Sequence, residues 1–279
     1  MQIQVERIDL RFPLNLLVRG VEVIQQPDTL LSLESLNVRV QAWPLVKGKV
    51  EVDEVTLSQV AFNSANLIEG MKIKGVLGRF FLQSHGVDLS NELAVINQTE
   101  LSDTHVQMLM NDTTTTPKDT TASAPVNWKV DLHKLKLKNV SFSMQLPADS
   151  MRMAAHIGEA FINDAQADLK NQFYELKQFL LSGSSANYDT GVAKPGEGFD
   201  ASHIAVRDIR IGLDSLLYKG RDMNAVIREF SMNERSGLSI TSLTGRAFSN
   251  DSIIRIPGIK LQTPHSEIDL SAQTYWELV

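Results

Sequence analysis

The sequence predicts an all-β protein built of long antiparallel strands that share one apolar face. Three observations predict it. A fifteen-residue phrase, KVEVDEVTLSQVAFN at 49–63, returns as KVDLHKLKLKNVSFS at 129–143. A shorter stencil contained in that phrase recurs along the whole chain. Between the recurrences stand turn-forming clusters such as RFPLN, QQPDT, AWPLVKG, NSAN and LSN.

In the double phrase, Val50, Val52, Val55, Leu57, Val60 and Phe62 correspond to Val130, Leu132, Leu135, Leu137, Val140 and Phe142, while the intervening polar residues change freely. Apolar and polar residues alternate with the strand period of two, but two polar neighbours stand where the alternation should flip. An extra residue in a strand is a β-bulge, and it returns the later side chains to the earlier face. The stencil of apolar, any, apolar, any, any, apolar, any, apolar begins again at Ile3, Leu31, Tyr174, Ile204, Ala225 and Ile254. Its central doublets are Glu6–Arg7, Glu34–Ser35, Lys177–Gln178, Arg207–Asp208, Arg228–Glu229 and Pro257–Gly258, none of them apolar. A repeat of this kind predicts one repetitive unit over 1–279.

Residues 1–110 read as strands and turns. The tract NDTTTTPKDTTASAP, 111–125, cannot bury a core and is either an interdomain linker or a disordered insertion between strands of one sheet; the insertion is expected, because the stencil resumes at once in VNWKVDLHKLKL. Residues 157–181 have helix-forming composition, yet they divide into strand-sized alternations around NDA and LKNQ and are read as strands. A Gly- and Ser-rich stretch, 182–198, is expected to be a flexible polar loop.

The formal charge of -6 and a pI near 5.6 leave no basic tract for a phosphate backbone, so nucleic acid is not an expected partner. Without cysteine there is no disulfide framework, thiolate metal site or thiol nucleophile. No apolar run approaches the roughly 18 residues of a membrane span, and the polar-apolar opening MQIQVERIDLRF reads as part of something longer. The six histidines lack metal-ligand spacing. Gly70, Gly75 and Gly78 lack the lysine and spacing of a phosphate loop and read as strand bends. Glu51 and Asp53 would share a strand face as a carboxylate pair, but Asp131 and His133 take their places in the second copy, which marks a solvated face rather than a catalytic one. No cofactor, metal or enzymatic activity is expected.

What remains is the apolar face, which must be hidden against a helix layer, a second sheet or a ligand. The pattern alone favours a closed sandwich or barrel, with a β-solenoid or adhesin-like scaffold as a related alternative. Repeated bulges allow a curved sheet folded around something apolar.

Around DTLLSLESLNVRVQAWPLVKGKVEVDEVTLSQVAFN, 28–63, the chain resembles the amino-terminal part of the AsmA-like and TamB-like envelope proteins of Gram-negative bacteria. Trp43, Pro44, Leu45, Gly48 and Lys49 followed by the repeat stencil carry that resemblance; SLTGRAFSNDSIIRIPGIKLQTPHSEIDLSA, 242–272, resembles the later TamB repeats, and QQPDTLL suggests the Bacteroidetes branch. The resemblance implies an elongated, curved antiparallel sheet with an open apolar groove. It implies the periplasmic part of an inner-membrane-anchored protein that moves phospholipid between membranes, supports outer-membrane protein assembly and pairs with an outer-membrane β-barrel. Under it, Val50, Val52, Val55, Leu57, Phe62, Val130, Leu132, Leu135, Leu137 and Phe142 are expected to line a groove for phospholipid acyl chains.

Overall fold

A computed structural model describes the chain except for residues 13, 44–51, 69, 89–90, 111–126, 192–193 and 276–279. The described residues form β1 (Gln2–Arg11), β2 (Asn15–Gln25), β3 (Asp28–Val40), β4 (Val52–Asn63), β5 (Met71–Asp88), β6 (Leu93–Met110), β7 (Lys129–Leu146), β8 (Met151–Asp168), β9 (Phe173–Asp189), β10 (His203–Lys219), β11 (Asp222–Glu234), β12 (Ser239–Ile240), β13 (Ser242–Ser249), β14 (Ile253–Gln262) and β15 (Glu267–Tyr275). All belong to one curved, unclosed sheet in sequence order, with the short β12 set beside β11. Neighbours are antiparallel except for β6 and β7, which run parallel from Leu93 opposite Lys129 to Leu109 opposite Gln145. A parallel pair needs a chain return, and the Thr-rich tract that makes it lies outside the described residues.

The stretch 157–181 is strand, with a turn at 169–172 between β8 and β9. The expected loop over 182–198 is corrected. Ser182–Asp189 continue β9, because Ala186 and Tyr188 keep the apolar phase among the small residues and pair with Val206 and Ile204 of β10. Only 190–202 connect the two strands.

The polar doublets lie on two lines that cross the sheet. Along the first, pairing skips Glu6, Gly20, Glu34, Gln59, Gly78, Asp103, Asn139 and Gly158 in successive strands, and resumes in unchanged register each time. The line continues through Gly183 and Asp208. Gly20, Gln59, Asp103, Asn139, Gly183 and Asp208 adopt left-handed φ between 49° and 59°. The second line passes Asp53, Asn97, His133, Asp164, Lys177 and Asp214, then Arg228 and Pro257–Gly258. Both are creases. The expectation of one-sided bulges is therefore revised for the first crease from β1 to β8: neighbouring strands deviate together, so their pairing survives without a slip.

The creases run six residues apart in β4, β6, β7, β8, β9 and β10, a strip of about 20 Å. Close approach of the neighbouring strand explains Gly78 and Gly158 on the first one, and left-handed φ explains Gly20 and Gly183. A Cβ on Gly158 would stand 2.6 Å from the Gly183 carbonyl oxygen, and one on Gly78 2.7 Å from Asp103 Cβ. Buried hydroxyls take up ladder groups freed by the folds: Thr104 Oγ1 donates to the Ser102 carbonyl at 3.1 Å, Ser184 Oγ to the Ser182 carbonyl at 3.1 Å, and Ser84 Oγ to the Val52 carbonyl.

Candidate functional site

Because each crease resets the alternation, most apolar side chains remain on one face along the strand, with Phe81 and Phe161 on the other. Between the creases they align into two ladders. The first joins Ile8, Val18, Leu36, Leu57, Phe80, Leu101, Leu137, Ala160, Leu181, Ile211 and Phe230, one residue from each of eleven consecutive strands. The second runs from Leu10 through Val38, Val55, Leu82, Leu135, Ile162, Phe179 and Leu213 to Leu270, with Thr99 and Gly245 as its only breaks.

No described layer covers these ladders, whose residues from β2 to β14 are half-buried except for the buried Ala160. Every described strand belongs to the one sheet, so no second described layer lies against them. Among the described residues, only Leu30, Leu33, Ala94 and Ala160 are buried apolar residues, and no large side chain is fully enclosed. At the β1 edge Ile8 is 64% and Leu10 72% exposed. A packed core would enclose Leu, Ile and Phe first. A contiguous apolar surface of this extent on one sheet face is what an interaction or ligand site shows. Beyond the first crease it continues into a pocket of about 180 Å³ lined by Phe142, Met153, Ala155, Tyr188, Ile204 and Val206 among others.

The expected groove residues fall on this face. Leu57 and Leu137 stand in the first ladder, Val55 and Leu135 in the second. Phe62 lies between Leu31 and Gly75, and Phe142 between Val106 and Ala155. Val52 pairs with Val40, Val130 with Ala94 and Ala167, and Leu132 with Ile96 and Ala165. Val50 lies outside the described residues. Sequence reading missed the contributions of β5, β6 and β8, where Gly75, Thr99, Thr104, Ala155 and Ala160 occupy face positions without large apolar letters.

Polar chemistry sits on the creases and strand ends. His133 Nδ1 lies 3.1 Å from Asp164 Oδ1, and Lys177 Nζ 3.6 Å from Asp164 Oδ2. The His133 hydrogen bond and then the Lys177 charge hold the Asp164 carboxyl below its ordinary value. The Asn171 side chain and backbone N–H do the same for Asp168. Arg228 Nη1 meets Asp214 at 3.1 Å, and the buried His203 lies 3.2 Å from Asp189. Apart from Asp168–Asn171, which closes the turn after β8, these are cross-strand pairs, and among the described residues no three His, Asp or Glu groups converge as a metal site. Asp53 accepts from Gln41 at 2.6 Å, whereas Glu51 lies outside the described residues. No described helix is long and apolar enough to cross a membrane.

No protein-family profile matches the chain, and no curated protein matches it.

Proposed function

We propose that this chain is a section of a periplasmic lipid trough whose apolar face holds phospholipid acyl chains between the inner and outer membranes. The observation that supports this most directly is the pair of ladders that no described layer covers. A sheet that aligned eleven apolar residues for internal packing would supply a second layer to cover them, whereas hydrocarbon from outside removes the same surface from water. About 20 Å between the creases accommodates acyl chains lying side by side along the strip. The resemblance to AsmA-like and TamB-like proteins supports the same reading. It extends the proposal to an inner-membrane anchor, an outer-membrane β-barrel partner and a role in outer-membrane protein assembly. On this reading the protein binds and conducts; it does not catalyse.

The test is mass spectrometry of organic extracts from gently purified protein. Phospholipid retained in proportion to chain, and removed by charge placed in the ladders, is expected. Protein that carries no phospholipid yet melts cooperatively would support a ligand-free structural scaffold instead.

A further inference from the structure

The chain contains nine methionines, and six of them, Met71, Met108, Met110, Met144, Met151 and Met153, stand at one end of the four consecutive strands β5 to β8. They meet in register. Met108 is opposite Met144, and Met144 is opposite Met153, so three thioethers occupy one rung. Met71 is opposite Met110 in the next rung outward, where Met151 also stands. Met-Leu-Met in β6 and Met-Arg-Met in β8 each put both sulfurs on the apolar face.

Apolarity does not explain this grouping. The two long ladders line the same face with Leu, Ile, Val and Phe and contain no methionine. What a thioether adds is a soft, neutral sulfur donor on a side chain with three rotatable bonds. Directly opposed residues bring their Cβ atoms within about 5 Å, so the three sulfurs of one rung can converge on a single ion. The rung is accessible, with Met153 39% exposed. Tyr188, opposite Met153, sets an aromatic side chain beside it, and a ring face attracts a cation.

We propose that Met108, Met144 and Met153 form a binding site for a soft monovalent d10 cation, Cu(I) or Ag(I), with Met110 and Met151 as further donors. The neutral donor set attracts thiophilic ions and leaves hard divalent ions in water. The site lies outside the two ladders, beyond the first crease, where Met153 and Tyr188 line the continuation of the same apolar face.

The test uses the whole chain with methionine methyl groups carbon-13 labelled. Silver nitrate, and separately Cu(I) under anaerobic competition with a bathocuproine chelator, is titrated in. The expected result is retention of one ion per chain, with methyl shifts at Met108, Met144 and Met153 and none at Met223 or Met232. Met144→Leu keeps side-chain volume and should weaken retention at least about tenfold, while Met232→Leu should leave it unchanged. Uniform shifts across all methionines, or retention unaltered by Met144→Leu, would overturn the site. Zinc or calcium binding at the same methyls would overturn its soft-ion character.

Discussion

Leu57→Asp separates an open trough from a packed core. Leu57 sits between Leu36 and Phe80 in the first ladder and is half-buried. Removing a half-buried leucine from its neighbours costs about 1–1.5 kcal/mol in lost apolar burial. Placing aspartate in a strand costs about 1 kcal/mol more. In an open trough water reaches the carboxylate, so the total stays near 2–3 kcal/mol, a fall of roughly 5–10 °C in Tm for a chain of this size. In a closed core the same charge is unpaired and dry, and the penalty rises to about 5 kcal/mol or more. Thr56→Asp, which projects from the opposite face between Asn37 and Phe81, is the control. Leu137→Asp repeats the test in the same ladder three strands away.

The assay pairs thermal denaturation with bound phospholipid per chain. Both ladder variants should fold, melt modestly lower and lose lipid, and the control should retain it. A ladder variant that fails to fold, or that folds with unchanged lipid, refutes the trough at that position.

Cleavage at a protease site engineered into 111–125 should leave the two halves co-eluting in gel filtration, since β6 and β7 pair along Leu93–Leu109; separation into stable halves would show two independent domains. Gly158→Val forces a side chain against the Gly183 carbonyl and should lower stability by about 3 kcal/mol in urea melts, whereas Gly258→Ala, with open space around it and no left-handed φ, should change stability far less. Asp164 has a depressed folded-state pKa, so its contribution to stability is present above the ordinary carboxylate value near pH 4 and is lost as pH falls through the folded value. Carboxyl carbon-13 titration should place its midpoint below that of an unpaired aspartate and move it upward in His133→Ala; an unshifted midpoint would refute the pairing. Deleting 147–189 brings β7 beside β10 with both ladders still aligned, because Leu137 and Ile211 share one rung and Leu135 and Leu213 the other. That variant should give a strand-dominated circular dichroism spectrum and a single cooperative melt, and an unfolded product would refute interchangeability of the strands.

The creases were legible in the sequence because they are written in local chemistry. Glu6, Glu34 and Asp208 mark the first and Asp53, His133, Lys177, Arg228 and Pro257 the second, each inside a polar doublet that breaks the alternation. The gap from Leu57 to Val60, repeated from Leu137 to Val140, carried the first crease through β4 and β7 as well. Strand partnership was less legible. Strands that share one period present similar faces, so no doublet says whether β7 lies parallel or antiparallel to β6. The methionine rung was hidden for the same reason: Met108, Met144 and Met153 are far apart in the chain and meet only once β6, β7 and β8 are aligned.

That shared period has a consequence for how the sheet works. Apolar residues recur as two per five residues, and along the first crease from β1 to β8 each strand flips its alternation at the same height as its neighbour. A flip made by one strand alone would throw the next strand's apolar residues to the polar face. Made together, the flips fold the sheet along straight lines without interrupting either ladder. Asp and Asn tolerate the left-handed backbone this requires, and Gly accepts it freely, which is why Asp103, Asn139, Gly183 and Asp208 occupy the first crease. The width of the apolar strip is then fixed by six residues of each strand, while its length is set by the number of strands. Width and length are thereby independent. A trough of constant cross-section can be lengthened by repeating the phrase, and the second copy at 129–143 places Leu135 and Leu137 on the rungs already defined by Val55 and Leu57.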